Sequence, residues 1–148
     1  MKAVPAVPTA AAAALLDLDA LEQSTTAVVV LKHPVSAAPT SATITVAGPE
    51  HPARKAAIFA RMRVRRAEME RTGKLSVTDP ADDEQDEVAL LAACTLGWAG
   101  LSTGGAALAY SAEAARALYA DPKRAWVRDQ VKAALDERAL FFGNCAPS

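Results

Sequence analysis

The sequence predicts an α+β fold that is mainly α: an N-terminal arm, one β-hairpin, and then about four helices. Three observations predict it. Two short segments rich in β-branched residues lie close together, TTAVVVL at residues 25–31 and ATITVA at residues 42–47. Helix start and stop residues then recur along the chain, with Pro52, Ser111 and Asp121-Pro122 at starts and Gly73 and Gly143 at stops. Alanine, the strongest helix former, makes up about a quarter of the 148 residues.

Residues 1–24 form the arm. MKAVPAVPT carries two prolines and no core pattern. Residues 10–23 support either a short helix with a narrow stripe of Leu15, Leu18 and Leu21, or an irregular Ala-rich arm. The Ala-rich run faintly resembles the apolar part of a signal peptide. Asp17, Asp19 and Glu22 follow it at once, which argues against that reading.

Residues 25–48 form the hairpin. The first strand is a run of mostly β-branched residues. The second alternates, with Ile44 and Val46 on one face and Thr43 and Thr45 on the other. His33-Pro34 and Gly48-Pro49 end the strands, and a loop of about ten residues is expected between them. A lone hairpin is marginal in water, so it must lie on the helices or extend a neighbour's sheet.

Residues 49–148 form the helical domain. The first helix runs from the Pro52 region to Thr72, with Ile58, Met62 and Met69 near one face and Phe59 beside them. An acidic block from Asp79 to Glu87 precedes the next helix, whose body is expected from Glu87 or Val88 to Leu96. The stretch Gly97-Trp98-Ala99-Gly100-Leu101 reads as a turn that breaks it. Ser111 and Asp121-Pro122 open the last two helices, and Val127, Val131 and Leu135 share a face of the final one.

Composition narrows the function. The formal net charge is -1, which argues against a dedicated nucleic-acid binder. Aromatic residues are only 5%, so large core side chains are few. Burial against copies of itself, as a homo-oligomer, or against partners would add the missing area. No stretch approaches the ~20 apolar residues that span a bilayer, so no membrane partner is expected.

Chemical motifs are sparse. His33 and His51 each sit beside a proline with no second ligand at metal spacing. Cys94 and Cys145 are far apart; Cys94 lies in an apolar helix and reads as a buried thiol. The acidic block lacks the glycine of a calcium loop. Gly104-Gly105 lacks the Lys-Ser/Thr of a phosphate loop. The expectation is therefore no catalytic residue, no cofactor and no metal.

What remains points to protein contacts. Arg61, Arg63, Arg65 and Arg66 form a basic face that can pair with the acidic block or with another protein. Trp98, Trp126, Phe141 and Phe142 serve either as binding anchors or as core in an aromatic-poor domain. The two tryptophans are expected inside, and the two phenylalanines split between core and surface.

The C-terminal half carries a further pattern. Leu96-Gly97-Trp98 is followed by Tyr110-Ser111-x-Glu113-x-Ala115-x-x-Leu118. Asp121-Pro122-x-x-x-Trp126-Val127-x-x-Gln130-Val131 comes next, then Arg138 and Phe142. This order resembles the tail assembly chaperones of tailed bacteriophages, over roughly residues 25–142. The resemblance implies a non-enzymatic protein of the host bacterial cytoplasm during phage assembly. It would bind the tape measure protein and bring tail tube subunits to it. The alternative is a structural virion protein, at the neck, head-tail connector or capsid, that remains in the particle.

Overall fold

The computed structural model describes residues 15–74 and 79–143. Among these residues the chain is α+β and mainly α, with one three-stranded antiparallel sheet, a small two-stranded ribbon and four α-helices. The expected arm helix falls partly outside the described residues. Within them, only Leu18–Leu21 turns, as a 3-10 helix. Its leucines stay exposed, Leu18 at 72%.

The hairpin forms as the β-branched runs predict. β1 (Thr26–Lys32) pairs antiparallel with β2 (Pro39–Ala47), with Val29 opposite Ile44. The connection is shorter than expected because β2 begins at Pro39. It closes with His33 N–H donating to Ala38 O at 2.8 Å and Ala37 N–H donating to His33 O at 2.8 Å.

Two expectations need correction. The LGWAG segment is not a turn: β3 (Thr95–Ala99) adds to the free side of β2, with Trp98 opposite Ile44. A short strand with a central glycine carries little local signal; the long second edge of the hairpin recruits it. The turn comes one residue later, at Gly100, whose φ is +77°. Gly104 and Gly105 then make the tight turn between β4 (Ser102–Thr103) and β5 (Ala106–Ala107).

The second correction concerns the acidic block. It lies inside a helix and does not precede one. α1 (Pro52–Thr72) starts at Pro52 and stops at Gly73, as expected; His51, read from the sequence as a loop residue, caps it by accepting from Ala53 N–H at 3.0 Å. α2 (Pro80–Cys94) begins at Asp79, whose carboxylate accepts from Ala81 N–H at 2.9 Å. Asp82 and Asp83 thus occupy the first turn, where the exposed N–H groups favour negative charge. Starting there also places Leu91, Ala92 and Cys94 on the buried side.

α3 (Ala112–Ala120) is capped by Ser111, whose hydroxyl accepts from Ala114 N–H at 2.9 Å. Asp121-Pro122 opens a 3-10 turn that leads into α4 (Ala125–Asp136). The last helix does not run on to Phe141-Phe142 and Gly143 as its spacing suggests: α4 ends at Asp136, and a separate 3-10 turn, Arg138–Phe142, follows.

One core joins these elements. The inner face of the sheet supplies Val29, Leu31, Ile44 and Val46; α2, α3 and α4 close over it with Leu91, Tyr119, Val127, Val131 and Leu135. α1 differs from the other helices. It packs chiefly on α2, and none of its residues is fully buried. No described helix is long and apolar enough to cross a membrane.

Candidate protein-binding surface

At about 1.5 Å per residue, the 21 residues of α1 span ~30 Å. Much of that length carries apolar side chains in contact with water: Phe59 is 46% exposed, Met62 51%, Val64 66% and Met69 48%. Arg63, Arg65 and Arg66 are exposed beside them, and Arg61 is half-buried. The face expected to bury Ile58, Met62 and Met69 packs only at Ile58, because α1 lies on the edge of the helical layer.

Between α1, α2 and α4 lies an open cleft of about 600 Å³. Arg54, Ile58, Arg61 and Arg65 line it from α1, and Asp83, Glu84 and Glu87 from α2. Arg128, Lys132 and Asp136 line it from α4, and Leu91, Cys94 and Leu135 add apolar surface. α2 and α4 are joined across it by Arg128–Glu84 at 3.6 Å and by Lys132–Glu87. The Glu87 contact raises the Lys132 ammonium above its ordinary value. Arg61 and Arg65 have no carboxylate partner among the described residues. The basic face therefore does not pair with the acidic block of its own chain, although the two look at each other across the cleft.

Arg54 does a different job. Its guanidinium donates to Ala47 O at 3.3 Å and to Leu135 O at 3.0 Å, tying the end of β2 to the last turn of α4. A cation at the carbonyl end of a helix is well placed. Cys94 is 1% exposed, and burial pushes its thiol up, against the opposing effect of Arg54. It stays protonated at neutral pH and lacks the thiolate that a nucleophile needs. Among the described residues, no group of three or more His, Cys, Asp or Glu side chains is placed to hold a metal ion.

The aromatic candidates separate. Trp98 is half-buried on β3; its indole N–H donates to Leu108 O at 2.8 Å, and Tyr110 meets it edge-on with ring centres 5.1 Å apart. Trp126 is half-buried at the start of α4 and packs against the core. Neither tryptophan is fully inside as expected. Phe142 is half-buried, but Phe141 is 0% exposed and has no surface to offer a partner. It is a core residue, because the last 3-10 turn folds it back onto Gly48 at the end of β2. The eight candidates thus do not make one site; the arginines share α1, and the aromatics lie on other elements.

Sequence reasoning missed Arg54 and the exposure of Phe59 and Val64. Nothing local distinguishes Arg54 from its neighbours, since its partners are 7 and 81 residues away. No protein-family model, no curated protein and no solved structure matches this chain.

Proposed function

We propose that this protein works by holding other polypeptides, as a tail assembly chaperone of a tailed bacteriophage does. The partners would be the tape measure protein and the tail tube protein. One observation carries this reading: a helix of 21 residues that buries none of them and keeps two methionines, a phenylalanine and a valine in contact with water. Exposed apolar surface of this kind marks interaction sites. Methionine side chains repack easily around differing helical partners. The unpaired Arg61 and Arg65 supply charge for acidic segments of the same partners.

Co-expression with a tape measure protein tests the proposal. The tape measure protein should become more soluble and co-purify with this chain. The double variant F59E/M62E should lose both effects and keep its melting temperature, because both side chains already meet water. Unchanged tape measure solubility with the wild-type chain would end this reading. A protein that stays in the virion would bury the same helix permanently. Mass spectrometry of purified particles separates that case, since a chaperone should be absent from them.

A further inference from the structure

β1 is an edge strand, with β2 on one side and no strand among the described residues on the other. In an antiparallel pair, alternate residues send N–H and C=O toward the partner, and those between send them away. Gly48 N–H donates to Thr25 O at 2.7 Å, and His33 N–H donates to Ala38 O at 2.8 Å. Odd-numbered residues of β1 therefore face β2. Thr26, Val28, Val30 and Lys32 face outward.

Side chains close the two ends of this edge. The Ser24 hydroxyl donates to Thr26 O at 2.8 Å and accepts from Thr26 N–H at 3.3 Å. The Gln130 amide accepts from Lys32 N–H at 2.9 Å and donates to Lys32 O at 2.8 Å, as a paired strand would. Val28 and Val30, between these caps, have no such partner among the described residues. Their side chains are 54% and 46% exposed. The usual edge defences are absent from this stretch: no charge, no proline, and the register shift comes only after Val30. A groove of about 580 Å³ runs beside it, lined in part by Val29, Ala133, Ala134 and Leu140.

We propose that a second copy of this chain occupies this edge, paired antiparallel with the two-fold axis at Val29. The open groups are their own complement about that point. Val28 of each copy exchanges both hydrogen bonds with Val30 of the other. Beyond this pair the two strands part, and they leave no open group there, because Ser24 already caps Thr26 and Gln130 already caps Lys32. The exposed valines cover one another as cross-strand pairs. Charge agrees as well. α4 runs opposite to β1, from Gln130 at Lys32 toward Phe141, whose carbonyl accepts from Ser24 N–H. Glu137, just after α4, and Lys32 of β1 both line the groove, so the two-fold brings carboxylates and ammonium groups of the two copies into the same contact. This contact is separate from α1 and stands or falls independently of the proposed function.

Sedimentation of the full chain over a wide concentration range tests it, with hydrogen exchange read at Val28 and Val30. A dimer is expected, with both amides protected more strongly as concentration rises. V30P removes an outward N–H that folding does not use and should raise the dimer Kd about tenfold or more. V28K places a charge in the contact and should do the same if V30P disturbs the fold. A monomer with both amides freely exchanging would overturn the proposal. So would a dimer indifferent to both variants. A monomer whose two amides lose protection when residues 1–14 are deleted would overturn it too, by assigning the edge to the chain's own arm.

Discussion

The hydroxyls of Tyr119 and Thr95 lie 2.6 Å apart in the core. Thr95 gives its single hydrogen to Leu91 O at 2.8 Å, so Tyr119 is the donor and Thr95 the acceptor. The pair fastens α3 to the junction of α2 and β3. Tyr110 adds a second tie by donating to Thr95 O at 2.7 Å.

Removing the acceptor should hurt more than removing the donor. T95V strands a buried phenol hydroxyl and should cost about 1–3 kcal/mol, against about 1 kcal/mol for Y119F. The double variant should cost less than the sum. Urea unfolding of the four proteins measures the cycle; strict additivity would show that the two groups do not interact.

Alkaline pH should weaken the protein through the same residue. Burial pushes the Tyr119 phenol up to about 12 from an ordinary value near 10. Between those values the unfolded chain loses this proton and the folded chain keeps it. The contribution is therefore complete below about pH 10 and lost on the way to pH 12, a change on the order of 3 kcal/mol. The chain has two tyrosines, so absorbance titration should show one ionising late. Y119F should flatten the loss of stability seen in denaturant melts.

The two neighbouring phenylalanines should differ sharply. F141A empties a fully buried site and should cost about 3–5 kcal/mol. F142A should cost much less, since its ring is already partly in water. Equal losses in thermal melts would mean that the last turn is not packed as described.

Two glycines near β3 make a similar contrast. A methyl on Gly100 would stand 2.7 Å from Ser41 O, at a φ of +77°. G100A should cost about 2 kcal/mol or more, from backbone strain and collision together. Gly97 has no atom within 4 Å of the equivalent position, so G97A should stay within about 0.5 kcal/mol of wild type.

The sequence by itself determined the elements whose causes are local. Valine and threonine runs set the hairpin, and Pro52, Ser111 and Asp121-Pro122 marked the helical starts. The Val127, Val131 and Leu135 face was readable from helical spacing alone. Tertiary structure decided the rest, because the deciding partners are distant in the chain. β3 exists because β2 had an unpaired edge. Arg61 and Arg65 of α1 have no carboxylate partner among the described residues, because the cleft-facing acids Glu84 and Glu87 of α2 are taken by Arg128 and Lys132 of α4. The AVVVL part of TTAVVVL is apolar on both faces, so its pattern could not say which valines would be buried. That depended on which side the helices covered, and they covered Val29 and left Val28 and Val30 to water.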